Sequence, residues 1–535
     1  MDLFNRLLEY YQITEKEYKS RIENCDLSTI PDPFQYMDNF QQSIDIIEKH
    51  IASKDKIAVL GDYDVDGLTS SSILIMALKN RGVDTGFYIP SRYIDGYGIS
   101  EKRVDDLYRA GYKLIITTDN GISAFDPIKK ARSLGMDVLV VDHHTQQGGK
   151  LPEASGIVHP KVCHYIDIDI SAGFLALLVS YGLTKRFDEY SAALAGLAVI
   201  SDMMPMEWAN LTLANYLIKV LKEGKYSQFN YLLSDSPDLK IDPRSITSNK
   251  ISFDIVAPLN GLGRMNIGLG NNNAVRFLVS REPGEILKYY KYIMRVSRRK
   301  KERLKELRTL AKTPIKESID FRIIDNCEVG LIGALANNQM CSIKKPVIFF
   351  TKSPVDSDIL VGSGRSLPYI DFYSIMKKYK DFFISFGGHR NAFGLSIKEK
   401  DFDQLKKSLL IEFDALPDER PQEQYIFLSP EEISFKSLDI INGFDPFGTN
   451  FKSPQFALKV KRRDLHLSQN GEHIYTRLKG EGVITYFYYD KNIDRDFDQD
   501  LYLGGELVFS DFRGVSSVHF NVNSLVDLQK DKIID

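Results

Sequence analysis

The chain has 535 residues, of which 43% are hydrophobic and 26% charged, long enough for about three domains at roughly 100–200 residues each. Its 69 basic residues against 72 acidic ones leave a formal net charge of -3, which is not the balance of a chain that only coats phosphate; a carboxylate-rich site beside a local basic groove remains open. Cys25, Cys163, Cys327 and Cys341 form no C-x-x-C pair, no run of ~18 apolar residues occurs, and the N-terminal stretch lacks a signal-peptide core, so free thiols and a cytoplasmic protein without a membrane span are expected.

Residues 1–50 read as an N-terminal helical segment broken at Pro31–Pro33. An α/β rhythm follows over 51–270. Lys56–Leu60 (KIAVL) is an apolar run ending in GDYDVDG, Leu114–Thr118 (LIITT) ends in DNG, and Asp137–Val141 (DVLVV) ends in DHH. Ser70–Asn80 and Asp126–Leu134 have helical period. Apolar runs alternating with helices predict a buried parallel sheet. Residues 271–320 contain a long helix with the basic stretch RVSRRKKERLKELR, read as a connector whose charges either face solvent or a polyanion. Over 321–415 the α/β pattern restarts with PVIFF, GSGRS and FGGHRNAFG. After a polar linker (ALPDERPQEQ), 425–535 is rich in aromatic and β-branched runs with turn signals, predicting a small β-barrel of oligonucleotide-binding (OB) type.

Three apolar runs end in acidic residues, and ligands of an open parallel sheet lie outside its carboxyl ends. Asp64, Asp66, Asp119, Asp142, His143 and His144 should therefore converge on one edge. One acidic turn alone reads equally well as a helix cap. Three together, with two imidazoles, would repel unless cations neutralise them. Oxygen and nitrogen donors without thiolate suit Mn2+ or Mg2+, and two such ions can promote hydrolysis of a phosphoester. The chain has no P-loop, no H-E-x-x-H and no G-x-S-x-G, which sets aside P-loop ATPases, zinc peptidases and serine hydrolases.

GDYDVDG, TTDNG and VDHH, in that order, together with LAVISDMMP and the glycine-rich FGGHRNAFG, resemble the DHH phosphoesterase superfamily and its DHH-associated domain. IPSRYIDGYGIS, APLNGLGRM, GSGRS, DPFG and the trailing β domain are similar to its RecJ-like branch of single-stranded-DNA exonucleases. The resemblance implies two ions, Mn2+ or Mg2+, held by Asp64, Asp66, Asp119, Asp142, His143 and Asp202, with Asp119 between them. It implies catalytic roles for Asp119, Asp142, His144 and His389, the two histidines meeting substrate phosphates. Arg92, Ser363 and Arg365 match a 5′-phosphate pocket, which arginine suits by donating two parallel hydrogen bonds. Tyr97 would stack on a base and Arg264 would touch the strand's backbone. The implied activity is 5′→3′ hydrolysis of single-stranded DNA to 5′-mononucleotides in repair or recombination.

Three departures stand out. CEVGLIGALA carries Glu328 where a histidine is usual. FGGHRNAFG carries Arg390, Asn391 and Phe393 where small residues are common. DPFGTN is looser than the usual PFGxGN. A small-substrate phosphodiesterase, acting on oligoribonucleotides or cyclic dinucleotides, would share the acidic loops, but SRYIDGYG and the β domain favour the exonuclease. In that β domain Lys459, Lys461, Arg462 and Arg463, with Tyr475, Tyr486, Phe487, Tyr488 and Tyr489, suit a single strand, although about half the rings should point inward on any strand. The same resemblance implies a monomer whose partners are single-stranded DNA and, by analogy, a single-stranded DNA-binding protein or a RecQ-type helicase.

Overall fold

The computed structural model describes residues 1–91, 98–265, 270–311, 315–416, 420–469, 471, 473–480, 482–487, 500–512 and 514–535. Five strands, β1 (Lys56–Leu60), β2 (Thr85–Tyr88), β3 (Tyr112–Thr118), β4 (Asp137–Val141) and β5 (Gly156–Val158), pair in the order β2-β1-β3-β4-β5, all parallel. The three anticipated runs are its central strands. Their successive residues are buried without alternation, because helices cover both faces. The helix Val65–Asn80 begins five residues before its predicted start. Asp64 caps it, accepting from the Gly67 N–H at 3.1 Å, so the acidic loop is itself the helix N-terminus. Every residue from Val65 to Leu78 is buried, and the hydroxyls of Thr69, Ser71 and Ser72 donate back to the carbonyls four residues earlier at 2.7–2.8 Å. The helices Ala172–Thr184 and Glu189–Ser201 are likewise apolar all round and buried.

The chain forms two compact units. One comprises Met1–Asn260, Gly268–Tyr292 and Gln422–Asp535, the other Gly261–Ile267 and Ile293–Pro421. The predicted long helix is Pro283–Ala311. The second unit holds a mixed sheet, β6 (Asp320–Ile323), β7 (Val347–Lys352), β8 (Ile359–Arg365), β9 (Phe383–His389) and β10 (Ala392–Lys398), in the order β6-β7-β8-β10-β9. Phe321, Phe350, Phe372, Phe393, Leu405 and Phe413 pack its core.

In the first unit, seven further strands form one sheet: β11 (Gln424–Leu428), β12 (Phe456–Lys461), β13 (His473–Arg477), β14 (Gly482–Phe487), β15 (Asp500–Phe512), β16 (Val515–Leu525) and β17 (Lys532–Ile534). Their order is β13-β14-β16-β15-β12-β11-β17. The closed small barrel expected from the sequence is not found among the described residues. β11 and β17 add to the edge at β12, and β13 ends the sheet on the other side. Its core also takes in the chain's first helix, Leu3–Tyr11. Leu3 and Leu7 pack with Ile426, Phe444, Phe456 and Ile474, and Arg6 donates to the Phe427 carbonyl and pairs with Glu432. Among the described residues no helix is long and apolar enough to cross a membrane.

Candidate active site

The carboxyl ends of β1, β3 and β4 lie side by side in the parallel sheet, and each continues into an acidic loop. After β1 the chain turns so tightly that a Cβ on Gly67 would lie 2.6 Å from the backbone of Asp62, so only glycine fits there. This turn aims Asp62, Asp64 and Asp66 at the same edge. Asp66 is 2% exposed, and its two oxygens accept from the N–H groups of Ala172 and Gly173 at 2.8 and 2.6 Å. It thereby serves the positive end of the Ala172–Thr184 helix, which offsets part of the cost of burying a charge.

After β3, Asp119 adopts a left-handed backbone, φ 61°, which aspartate tolerates better than most residues. Asn120 beside it donates to the Leu60 and Thr118 carbonyls at 3.2 and 2.8 Å, tying the ends of β1 and β3 together. After β4, Asp142 accepts from Ile122 N–H at 2.9 Å, from His143 N–H at 2.8 Å and from His144 Nδ1 at 2.8 Å. Asp202 arrives from a different direction, at the C-terminal end of the Glu189–Ser201 helix.

Asp66, Asp119 and Asp202 meet around the His143 ring, while Asp142 takes its hydrogen bonds from Ile122, His143 and His144. The His143 Nε2 lies 3.3 Å from Asp119 Oδ1, 3.6 Å from Asp66 Oδ2 and 3.7 Å from Asp202 Oδ2. His144 Nδ1 is 3.7 Å from the same Asp119 oxygen. Three overlapping donor groups result: Asp62, Asp64 and Asp119; Asp66, His143 and Asp202; and Asp119, His143 and His144. Separations of this kind are long for direct hydrogen bonds. They approach the roughly 3 Å between neighbouring ligand atoms around an ion bonded at about 2.1 Å. With no thiol in the set, the donors fit a hard divalent cation.

The electrostatics agree. Burial, followed by the nearby Asp66, Asp64, Asp62 and Asp142, pushes the Asp119 carboxyl well above the usual range. Burial and Asp64 push Asp66 up to about 7, and burial and Asp66 do the same to Asp202. Burial also lowers the His143 imidazole, which favours the neutral, metal-ligating form. His144 differs: burial lowers it, but its hydrogen bond and charge interaction with Asp142 prevail and raise it to about 9. Asp142 is lowered overall, since the same hydrogen bond and its N–H donors outweigh burial.

The remaining predicted residues belong to the second unit or lie outside the described residues, as Arg92 and Tyr97 do. In the second unit Ala392 pairs with Arg365 on one side and His389 on the other, while Gly394 pairs with Ser363 and Gly387. Cross-strand partners share a face, so Ser363, Arg365 and His389 stand on one side of this sheet with glycine between them. Arg365 Nη1 donates to Ser363 Oγ at 2.8 Å and to the Gly364 carbonyl at 2.6 Å. Arg264 ends the helix Ala257–Arg264 beside Lys300, whose ammonium is lowered to about 8 by burial and then by Arg264. Glu328, the unusual residue before the Val329–Ile343 helix, receives Arg303 Nε at 3.2 and 3.1 Å, so it replaces the expected imidazole with an ion pair to the long helix.

Sequence reasoning missed several supporting residues. Asn260 accepts the Val65 N–H at 2.9 Å and so braces the first acidic loop; it lies in the APLNGLGRM motif, four residues before Arg264. Asn272 accepts from Ile89 N–H at 2.9 Å, and Asn271 donates to the Pro90 carbonyl at 2.9 Å. Both hold the segment that leads to Arg92. Their run of three asparagines, Asn271–Asn273, was the available signal.

Comparison with known proteins agrees with this geometry. The chain matches the model of the DHH family, N-terminal domain, over residues 56–201 and that of the DHHA1 domain over residues 321–413. It is 28% identical, over 84% of its length, to the single-stranded-DNA-specific exonuclease RecJ of Bacillus subtilis, and spans 58% of that relative. To the protein of the same name from Salmonella typhimurium it is 27% identical over 79% of its length and 78% of the relative's. The crystal structure of RecJ from Thermus thermophilus in complex with Mn2+ matches 99% of this chain and 76% of its own, with a TM-score of 0.79 at 19% identity. The Mg2+ complex from the same source gives 0.72 at 18%. At such identity these structures establish the fold.

Proposed function

We infer that this chain, which belongs to the DHH family on its RecJ-like branch, is a metal-dependent 5′→3′ exonuclease that hydrolyses single-stranded DNA to 5′-mononucleotides. The observation that carries the reading is the convergence of Asp66, Asp119 and Asp202 within 3.3–3.7 Å of His143 Nε2. Asp64, Asp66, Asp119, Asp142, His143 and Asp202 would hold two Mn2+ or Mg2+ ions, with Asp62 at hand in the same loop. Bound there, such ions lower the pKa of water and stabilise charge on a phosphoryl oxygen.

The protein's own groups do the rest. Asp119, buried between two donor groups, is the carboxylate able to serve both. Asp142 fixes the His144 ring through Nδ1 at 2.8 Å and favours its protonated form, so that Nε2 would donate to the scissile phosphate. Arg365, steadied by Ser363, is suited to a terminal 5′ phosphate, with Arg92 as its predicted companion and Tyr97 as the stacking ring. His389 would contact the phosphate of the departing nucleotide, where Gly387 and Gly388 let backbone approach closely, and Arg264 a phosphate further along the strand.

The C-terminal sheet would carry the strand beyond the site. Its strands β12 to β16 run in the order 2-3-5-4-1, with the third and fifth parallel, an arrangement that supports an OB-type module opened between its first and second strands. Tyr475 and Phe487, 42% and 56% exposed, share a face of β13 and β14 and can stack on bases. Arg462 is buried and donates to the Leu465 carbonyl, so of the basic cluster Lys461 and Arg463 are the better phosphate partners. With DNA as its substrate the enzyme would act in the cytoplasm, as a monomer, in repair or recombination. A single-stranded DNA-binding protein or a RecQ-type helicase would supply its substrate.

Chelation tests the reading. Protein stripped of metal should leave a single-stranded oligonucleotide intact and recover activity with Mn2+. Full activity after stripping would rule out the metal-dependent mechanism.

A further inference from the structure

Asp202 occupies an unfavourable place for a carboxylate. It sits at the C-terminal, negative end of the Glu189–Ser201 helix and 3.7 Å from a ring that also faces Asp66 and Asp119. The chain leaves it through Met203, which has φ 53° and is 66% exposed. A helix end alone does not fix the carboxylate's direction, and the loop Met203–Glu207 is tied from outside. Thr449 Oγ1 donates to the Met203 carbonyl. Asn450 Oδ1 accepts the Met206 N–H at 3.0 Å, and its Nδ2 donates to Glu207. Gly448 packs so near that a Cβ there would lie 2.6 Å from Met206 Cγ and 3.1 Å from the Met204 carbonyl. Arg21 completes the clamp, bonding the Met206 and Pro446 carbonyls at 2.8 Å each.

We propose that Gly448, Thr449 and Asn450, at the entrance to the C-terminal sheet, are positioning residues for Asp202, setting the affinity of the ion held by Asp66, His143 and Asp202. This rests on the two-metal reading above. It gives the loosened DPFGTN segment a role, since both Thr449 and Asn450 bind the loop that follows the ligand. The clamp predicts that the C-terminal sheet is coupled to the metal centre through hydrogen bonds as well as through any hold on DNA. Partners of metal ligands commonly change affinity by about 10- to 100-fold when removed.

The test is calorimetric titration of metal-free full-length protein with Mn2+, followed in parallel by fluorescence of Trp208, the only tryptophan, which lies 75% exposed next to Glu207. Wild type should bind two ions. Asn450→Ala should weaken one of them about tenfold and leave the other unchanged, with KM for DNA unaltered and kcat reduced at low Mn2+. Thr449→Val should act in the same direction and Thr449→Ser should restore wild-type affinity, which a general loss of folding would not. Two unchanged Mn2+ affinities in both Asn450→Ala and Thr449→Val would overturn the clamp while leaving the two-metal reading intact. A wild type that binds no Mn2+ would overturn both.

Discussion

Asp119 has a left-handed backbone, is 2% exposed and faces other carboxylates, a combination that costs stability unless a cation is present. Asp119→Asn keeps its shape and removes a charge. Without metal the variant should therefore be more stable than wild type in urea denaturation, and with Mn2+ that advantage should vanish. Its kcat should fall by at least about 10²–10³-fold, the scale on which losing one stabiliser of developing charge acts. An active Asp119→Asn, or one destabilised without metal, would contradict the assignment. On the second unit's sheet, Arg365→Ala should remove most of any preference for 5′-phosphorylated over 5′-hydroxyl ends, read as a ratio of kcat/KM values. Asp64, Asp66, Asp119, Asp142, His143 and His144 were legible because each acidic cluster ends an apolar run, whereas Asp202, at the end of a helix, came only from the resemblance. Their supports were not. Asn260, Asn120 and Asn450 act on loops up to hundreds of positions away, and an asparagine in a loop carries no sign of which chain segment it will reach.

Among the elements, β4 has two ends with different roles. Asp142 at the carboxyl end serves the site, whereas Asp137 at the other end gathers Lys49 at 3.0 Å, His50 at 2.9 Å, Ser155 at 2.8 Å and Arg132. Burial would raise the Asp137 carboxyl, but these partners together hold it well below the usual carboxylate range. A depressed carboxyl contributes stability above the normal range near pH 4 and loses it as pH falls through the depressed value. Asp137→Asn should thus cost about 1–3 kcal/mol at neutral pH, the range for charged hydrogen bonds, with the gap to wild type closing in strong acid and nuclease activity per folded molecule unchanged. An equal deficit at both pH extremes would show that packing, not charge, is responsible. The central strands were readable as unbroken apolar runs. The edge strands β2 and β5, at four and three residues and only partly buried, had no such signal. β11 begins inside the polar stretch that composition marked as linker.

For the whole molecule, the first helix and the last sheet are one structure. Leu7 is fully buried in the C-terminal sheet's core, and Arg6 reaches the Phe427 carbonyl 421 positions away. Local sequence cannot reveal a contact of that separation, and for the same reason it did not show that β11 and β17 join β12 from distant parts of the chain. Leu7→Ala should destabilise the first unit by about 2–4 kcal/mol, and the C-terminal sheet and the parallel sheet should melt together. Separate transitions would mean that the clamp at Asn450 and the core at Leu7 do not couple them.

Digestion of a 3′-labelled single-stranded oligonucleotide with Mn2+, beside a matched duplex and a matched RNA, decides whether the chain is a metal-dependent exonuclease on single strands. The expected result is a ladder of shortened labelled products from the single-stranded DNA, dependent on Mn2+, with the duplex intact. An untouched long strand with rapid hydrolysis of dinucleotides would contradict it and assign the same centre to small substrates.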